Sequence, residues 1–289
     1  MTTRLIARFS GAFPLFFVVL WSTGFIGARL GLPHIEPLTF LLIRYLLVIA
    51  CMALIALATR APWPPTRSAW LHIGIAGLLV HGVYLGGVFI AISKGLPAGV
   101  ASLVVGVQPL LTAVGAGWLL GETVLKRQWL GLLLGLLGVA LVVANKIGGA
   151  FNALALIPAV IALFGITAGT LYQKRFCPSF DWRTGAVAQF VPTAVVTGLL
   201  AWWLESGTID WTGELAFALG WLVLVLSLGA VSLLNWLIRN SNAVNIASLF
   251  YLVPPCTAVF AWLLFGETFT GLALLGMVLT VGGVYLARK

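Results

Sequence analysis

The sequence predicts an all-α integral membrane protein: ten transmembrane helices in two inverted-topology five-helix repeats, with both termini in the cytoplasm. Three observations lead to this fold class. Apolar residues make up 61% of the 289 residues, and charged residues only 8%. The apolar residues are grouped into ten runs of about 20, the length that a helix needs to cross a bilayer. The second half of the chain also repeats features of the first half in a constant register.

The composition excludes several classes of protein. A soluble domain carries roughly 25% charged residues because its surface faces water, and this chain has too few charges to form such a surface. The net charge of +9 comes from basic residues scattered singly or in pairs, whereas nucleic-acid binding requires them clustered on one face. The three cysteines fit neither a disulfide framework nor a metal site. The expected partners are therefore the lipid bilayer and a small-molecule substrate, with no nucleic acid, no cofactor and no metal.

The ten apolar runs are separated by turn residues or charges, and the loops between them leave no room for a soluble domain. The first run, which follows two arginines, is interpreted as a span and not as a cleaved signal peptide, because it has a counterpart in the second half. The predicted spans are residues 12–30, 37–58, 69–92, 98–120, 125–144, 153–173, 184–204, 215–236, 243–265 and 270–287.

The distribution of basic residues predicts the orientation, since cytoplasmic loops of membrane proteins carry an excess of Lys and Arg. One side of the membrane collects most of them: Arg4, Arg8, Arg60, Arg67, Lys126, Arg127, Lys174, Arg175, Arg183, Arg239, Arg288 and Lys289. The other side has only Arg29, Lys94 and Lys146, together with most of the acidic residues. We therefore expect a multi-pass protein of the cell (inner) membrane with both termini in the cytoplasm.

An internal repeat divides the chain into residues 1–147 and 148–289. At a shift of 145 positions, Pro109 aligns with Pro254, and Gly121-Glu122-Thr123 aligns with Gly266-Glu267-Thr268. Each half holds five spans, and because five is odd the second half enters the membrane in the opposite orientation. Inverted repeats of this kind are a transporter architecture, with the substrate site near the bilayer midplane between the halves.

The chain resembles the drug/metabolite transporter superfamily, specifically its EamA-type ten-helix exporters. The residues that carry the resemblance are Trp21-Ser22-Thr23-Gly24-Phe25, Pro37-Leu38-Thr39-Phe40, Arg44-Tyr45, Ala98, Ala101-Ser102, Pro109, Gly121-Glu122, Asn245, Pro254 and Gly266-Glu267. The resemblance implies export of small metabolites, often amino acids, through a cavity enclosed by spans one, three, four, six, eight and nine. It also implies that spans five and ten pack peripherally and support a homodimer. The resemblance includes a subgroup of these exporters that exports aromatic amino acids and methionine.

Polar and aromatic groups at mid-membrane depth are the candidate substrate-binding residues, because such polar groups are costly in lipid. His81 and Tyr84 share a helical face with two glycines, although a histidine bonded to a neighbouring helix is an equally good interpretation. The mid-span aromatics have packing as their alternative role. The predicted substrate-binding residues are Trp21, His81, Tyr84, Gln108, Ser227, Asn235 and Tyr251. Pro109, Pro254 and Pro255 are predicted hinge and cavity residues, because a proline frees backbone carbonyls within a span.

Arg44 lies about 12 Å of helix rise beyond Glu36, deep in the second span. It either pairs with a substrate carboxylate or extends toward the outer face, and we favour a structural role because span two is peripheral in the family. No acidic residue lies in the middle of a span. The protein therefore either uses His81 as its proton carrier or works as a uniporter.

The sequence thus predicts an alternating-access exporter of small amphipathic metabolites, with amino acids, including aromatic and apolar ones, as the leading substrates. One alternative is a carrier for phosphorylated or nucleotide-linked sugars, which would need several midplane basic residues, whereas only Arg44 lies there. Another alternative is a membrane-embedded transferase. No nucleophile–base pair or metal-ligand spacing favours that class, so we expect no enzymatic activity.

Overall fold

The computed structural model describes residues 12–96, 98–144, 153–177, 179–266 and 268–288. All ten predicted spans are helices long and apolar enough to cross a membrane. No β-strand occurs among the described residues, which form one isolated bridge, Ile35 to Ile209. Helices are the expected outcome, since a backbone in lipid must satisfy its own hydrogen bonds. The spans are α1 (Phe13–Gly31), α2 (Pro37–Ala58), α3 (Arg67–Ser93), α4 (Val100–Leu120), α5 (Lys126–Val143), α6 (Ala153–Phe176), α7 (Trp182–Leu204), α8 (Gly213–Asn240), α9 (Ala243–Leu264) and α10 (Gly271–Arg288).

The predicted fold class is confirmed in its helix count and its two repeats. Several residues used in the sequence analysis lie outside the described residues: Arg4, Arg8, Lys146, Glu267, Lys289 and the boundary between positions 147 and 148. The division of the chain at that boundary and the cytoplasmic location of the termini stay predictions.

Helices α3 and α8 are longer than predicted and are irregular at their centres. They contain 27 and 28 residues, and 27 residues of α-helix extend about 40 Å, beyond the roughly 30 Å hydrocarbon layer. Hydropathy misses the polar ends of these helices because those ends lie outside the apolar layer. A π-helical segment interrupts each helix, at Leu78–Leu85 in α3 and at Leu222–Ala230 in α8. Such segments are rare and frequently mark functional sites.

Helices α4 and α9 are broken at corresponding positions. In α4, the α-helical parts are Ala98–Val105 and Gln108–Leu120. In α9, a 3₁₀ turn at Phe250–Leu252 separates Ala243–Leu249 from Val253–Phe265. Pro109, Pro254 and Pro255 lie at or beside the starts of the second parts, where a helix tolerates a missing N–H. The structure thus places the breaks at the prolines, and their role as hinges stays a prediction.

The repeat seen in the sequence continues through the secondary structure. Both broken helices end at a glycine in the left-handed conformation, with φ of 66° at Gly121 and 67° at Gly266, a backbone conformation that residues with a Cβ rarely adopt. The helices that follow, α5 and α10, each have 18 residues, and the π-helical segments also correspond. With five spans in each half, the second repeat crosses the membrane in the opposite direction.

The two repeats pack against each other throughout the bundle, and two of the contacts join equivalent helices. Helix α2 packs along α7, and α5 packs along α10, while α1 packs between α8 and α9, and α3 packs against α6. The largest cluster of buried apolar side chains is formed mainly by α1, α2, α3, α7, α8 and α9, around Phe17, Phe40, Tyr45 and Phe190. Each repeat therefore buries its apolar surface largely against the other.

Glycines allow α5 and α10 to approach each other closely. A Cβ placed on Gly138 would lie 2.6 Å from the Gly276 carbonyl oxygen, and one on Gly283 would lie 2.6 Å from the Gly131 carbonyl oxygen. Small residues with this spacing are typical of membrane helices in intimate contact. The glycine faces of both helices thus pack against each other within one chain. The homodimer stays a prediction, and it would have to form through the other faces of these helices.

Candidate functional site

Helices α1, α2, α3 and α8 enclose a small cavity at mid-span depth. Three of these helices belong to the first repeat and α8 belongs to the second, so the cavity lies at the junction between the repeats. Its walls are mostly apolar and aromatic, which is typical of small-molecule sites. The lining residues are Trp21, Gly24, Phe25, Ala28, Arg44, Tyr84, Leu85, Val88, Phe89, Leu226 and Val231.

Two parallel aromatic rings form one wall of the cavity. The indole of Trp21 and the ring of Tyr84 have centroids 6.5 Å apart and an interplanar angle of 10°. Phe17 and Phe250 pack around Trp21, with ring centroids at 5.2 and 5.5 Å. Tyr84 belongs to the π-helical segment of α3, and Leu226 on the opposite wall belongs to that of α8. The irregular centres of both long helices therefore meet at this cavity.

Arg44 supplies the charge of the cavity. Its side chain is 1% exposed, and its Nε donates a hydrogen bond to the Ser227 hydroxyl at 3.1 Å. Neither of its terminal nitrogens has a hydrogen-bond partner among the described residues. The sequence left two roles open for Arg44, pairing with a substrate carboxylate or a structural role with extension toward the outer face, and favoured the structural one. The structure instead keeps the guanidinium buried beside Trp21 and Tyr84, because α2 turns this residue toward α8 and not toward lipid.

The cavity is too small for a metabolite in this conformation. Its volume is about 30 Å³, which is room for one or two water molecules. Sites for drug-sized ligands have volumes of about 300–1,000 Å³. A ligand the size of an amino acid would therefore bind only after the helices around the cavity move apart.

A second polar cluster lies beside the cavity, formed by the side-chain amides of Gln173, Gln189 and Asn235. They form a closed ring of hydrogen bonds, in which Gln173 donates to Asn235 (2.8 Å), Asn235 to Gln189 (3.5 Å) and Gln189 to Gln173 (3.1 Å). The three residues are buried and belong to α6, α7 and α8. This amide ring joins three helices of the second repeat without any charge.

His81 lies in the π-helical segment of α3 and faces α7. Its ring stacks on Phe190 with centroids 4.2 Å apart, and the Tyr45 hydroxyl donates to its backbone carbonyl at 2.7 Å. Gln189 is near enough to interact with the ring, but neither ring nitrogen has a partner of hydrogen-bonding geometry among the described residues. The two buried nitrogens therefore either bind a transient partner or lower the stability of the folded protein.

The repeat relates the surroundings of Arg44 to those of His81. Arg44 and Gln189 occupy positions 145 apart, as do Tyr45 and Phe190. Arg44 of the first repeat bonds to α8 of the second repeat, and Gln189 of the second repeat approaches α3 of the first. The two sites thus correspond by position and differ by one charge.

The structure brings together only some of the residues predicted to bind substrate. Trp21 and Tyr84 line the cavity, and Ser227 holds the Arg44 side chain beside it. His81 and Asn235 belong to the neighbouring polar region described above. Arg44 also lines the cavity, although it was not among the predicted substrate-binding residues. The sequence signal for it was its depth, eight residues into an apolar helix.

Gln108 and Tyr251 lie elsewhere. Gln108 is buried at the break in α4, where its amide nitrogen donates to the Thr112 hydroxyl at 3.1 Å. Tyr251 is fully buried in a separate cluster and packs against Gly135 of α5. Its hydroxyl has no hydrogen-bond partner within the described part of the chain. The geometry favours a packing role for both residues in this conformation, and their contact with substrate stays a prediction.

Two carboxylates connect the repeats at the ends of the bundle. At one end, Glu205 beyond α7 accepts hydrogen bonds from the amides of Leu38 and Thr39 at the start of α2, both at 2.7 Å. At the other end, Glu122 beyond α4 accepts from the Ala243 amide at the start of α9, at 2.9 Å, and lies 3.7 Å from Lys174. A carboxylate at a helix N-terminus is stabilised by the unpaired amides and by the helix dipole. Each contact closes one end of the interface between the repeats.

Comparison with known proteins gives a consistent result for both halves. A model of the EamA-like transporter family matches residues 10–144 and again residues 153–288. The chain is similar to proteins described as a probable amino-acid metabolite efflux pump in Salmonella typhimurium (27% identity) and Escherichia coli K12 (28%), each match covering 97% of this chain and 95% of the relative. It is 26% identical to the uncharacterized inner membrane transporter YedA of Escherichia coli, over 98% of this chain and 93% of YedA.

A solved crystal structure has the same fold, with a TM-score of 0.78 at 22% identity over 96% of this chain and 95% of its own. The ten apolar helices and both matches to the family model make the protein a multi-pass membrane transporter and not an enzyme. This chain belongs to the EamA-like transporter family.

Proposed function

We propose that this transporter exports small amphipathic metabolites, with aromatic and apolar amino acids as the leading substrates, by alternating access. One observation carries the proposal: a cavity at the junction of the repeats combines a wall of parallel aromatic rings with one buried guanidinium. A planar apolar side chain matches the first feature, and a carboxylate matches the second. Two relatives described as probable amino-acid metabolite efflux pumps support the same substrate class.

The contacts at the two ends of the bundle support the alternating mechanism. Glu205 links the repeats at one end and Glu122 links them at the other. Release of one link with retention of the other opens the cavity to one side only. The breaks in α4 and α9, which lie at corresponding positions of the two repeats, supply the points at which these helices bend.

The charge distribution supports an orientation with both termini in the cytoplasm. Arg60 and Thr208 are exposed residues in loops at opposite ends of the bundle, and only the Arg60 side is rich in basic residues. Single cysteines at these two positions, in a variant without Cys51, Cys177 and Cys256, should react oppositely with an impermeant maleimide applied to intact cells. We expect labelling at position 208 only. Labelling of both positions, or of position 60 alone, would contradict the orientation.

A carrier for phosphorylated sugars is less well supported by the site. A phosphate group carries about two charges at neutral pH, and Arg44 is the one charged residue among those that line the cavity. A single guanidinium would leave such a ligand with an uncompensated charge in a low-dielectric environment. Ligands with one carboxylate match the charge of the site.

Counterflow in proteoliposomes tests the proposal. Vesicles with the purified protein and an internal excess of unlabelled phenylalanine should take up external radiolabelled phenylalanine, with and without an imposed pH gradient. Trp21→Ala should reduce this exchange at least tenfold, whereas Trp118→Ala, at a side chain that is 90% exposed toward lipid, should leave it unchanged. A response to the gradient would identify proton exchange, and no response would identify uniport. No exchange for any amino acid would refute the proposed substrate class.

A further inference from the structure

We propose that Arg44 binds the carboxylate of the substrate and that the site is selective for organic monocarboxylates, so that the substrate amine is dispensable. The inference rests on the proposed function in one respect, namely that the cavity at the junction of the repeats is the transport site. It goes further in two ways. It assigns recognition of the substrate carboxylate to Arg44, and it expects carboxylates without an amine to bind as well as amino acids do.

The hydrogen bonding of Arg44 leaves the guanidinium prepared for an anion. Ser227 accepts from Nε at 3.1 Å and thereby fixes the plane of the group. Both terminal nitrogens, on a side chain that is 1% exposed, have no partner among the described residues. A buried cation without a partner is strongly unfavourable. A carboxylate is the ligand that pairs with two parallel N–H groups of a guanidinium.

The charges around the cavity disfavour a substrate amine. Of the lining residues, Arg44 alone carries a charge at physiological pH, and none is a carboxylate. A bound monocarboxylate would therefore neutralise the site, whereas a bound amine would add a second positive charge close to the first. For a zwitterionic amino acid, the lining residues offer the ammonium group aromatic faces, backbone carbonyls and the Tyr84 hydroxyl, but no opposite charge. The site therefore recognises the carboxylate, and the ammonium group adds little to the binding affinity.

The aromatic wall indicates the shape of the rest of the ligand. A flat apolar group stacks on an aromatic ring at roughly 3.5 Å, the distance of an ordinary carbon–carbon contact, and two nearly parallel rings in one wall offer it an extended flat surface. The centroids of Trp21 and Tyr84 are 6.5 Å apart at 10°. A small outward movement of α3 relative to α1, as the cavity expands, would admit a flat apolar group beside the guanidinium. An aryl or similarly flat apolar monocarboxylate combines both features.

Direct binding to the purified protein tests the inference without transport. Calorimetric titration would compare phenylalanine with 3-phenylpropionate, which lacks the amine, and with phenethylamine, which lacks the carboxylate. We expect 3-phenylpropionate to bind at least as tightly as phenylalanine, and phenethylamine to bind at least tenfold more weakly. Binding of phenethylamine as tight as that of 3-phenylpropionate, or no binding of 3-phenylpropionate, would overturn the inference.

Two variants assign the effect to Arg44. Arg44→Gln should abolish the preference for 3-phenylpropionate over phenethylamine. Arg44→Lys keeps the positive charge but not the two parallel N–H groups, and it should retain part of the preference. A preference that persists in a folded Arg44→Gln protein would overturn the assignment. Removal of an unpaired buried charge should not lower thermal stability. If Arg44→Gln nevertheless fails to fold, an undiminished preference in Arg44→Lys would overturn the assignment.

The outcomes separate this inference from the proposed function. If phenylalanine exchanges in vesicles but 3-phenylpropionate neither binds nor competes, the inference fails and amino-acid export stands. If 3-phenylpropionate binds through Arg44 but no amino acid exchanges, the inference stands and the amino-acid substrate class is wrong.

Discussion

Gly282 and Gly283 are adjacent glycines of α10 that test how closely this helix packs against α5. A Cβ at Gly282 would meet no atom within 4 Å. A Cβ at Gly283 would lie 2.5 Å from the Gly135 amide nitrogen and 2.6 Å from the Gly131 carbonyl oxygen. These are backbone atoms of α5, which cannot rotate aside as a side chain can. The same substitution at the two positions therefore differs only in what the new methyl group meets.

The magnitude follows from two opposing effects. Alanine in place of glycine favours a helix interior by about 0.5–1 kcal/mol, and this gain applies at both positions. Ordinary contacts between carbon atoms are 3.5–4.0 Å, so a methyl group at Gly283 requires the helices to separate by about 1 Å. Overpacking of this kind costs about 1–3 kcal/mol. We expect Gly283→Ala to be less stable than Gly282→Ala by about 1–3 kcal/mol.

Denaturation in mixed micelles provides the assay. Each variant would be titrated with sodium dodecyl sulfate, and unfolding would be followed by tryptophan fluorescence and by far-ultraviolet circular dichroism. Gly282→Ala should match or exceed the unmodified protein, and Gly283→Ala should unfold at lower detergent fraction. Equal stability of the two variants would refute the direct contact between the backbones of α5 and α10.

Three further predictions concern other parts of the structure. Glu205→Gln should lower the free energy of unfolding by about 1–2 kcal/mol, because it weakens charged hydrogen bonds to the start of α2; a thermal midpoint equal to that of the unmodified protein would contradict this. His81→Phe should raise stability, since it removes two buried nitrogens without partners, and should reduce counterflow; unchanged counterflow would assign His81 to packing. Burial raises the pKa of the Cys177 thiol to about 12. Because the thiolate is the reactive form, its alkylation at neutral pH should be about 10³-fold slower than in the unfolded chain, and peptide mapping that finds comparable rates would disprove it.

The fold was accessible from the sequence because the bilayer imposes a simple rule on each span. Apolar length marks the helices, and the constant register from Pro109 to Pro254 marks the repeat. The π-helical segments of α3 and α8 were not accessible, since their residues are as apolar as those of a regular helix. The polar ends of α8 were also missed, because hydropathy reports depth in the membrane and not helix length.

The site was harder to predict from the sequence, because the residues that form it depend on which neighbouring helix packs on each helix face. Trp21 and Tyr84 were identified from their depth, and they do meet. Arg44 has the same signal, but its importance depends on α2 facing α8, which no spacing within α2 reveals. Tyr251 is the same residue type as Tyr84 and also lies in mid-span, yet it packs against Gly135 of α5 and not in the cavity. Helical periodicity predicts which residues share a face but not the neighbour of that face.

The difference between Arg44 and Gln189 has an energetic consequence for a protein built from two inverted copies. If the copies were identical, exchanging their conformations would give two states of equal free energy, open to opposite sides and equally populated. Every residue pair that breaks the equivalence shifts this balance, and a shift of 1.4 kcal/mol changes the population ratio tenfold. A single buried charge held by only one copy is a large departure from equivalence. The pair at positions 44 and 189 is therefore one of the places where the sequence biases which side of the membrane the empty protein faces at rest.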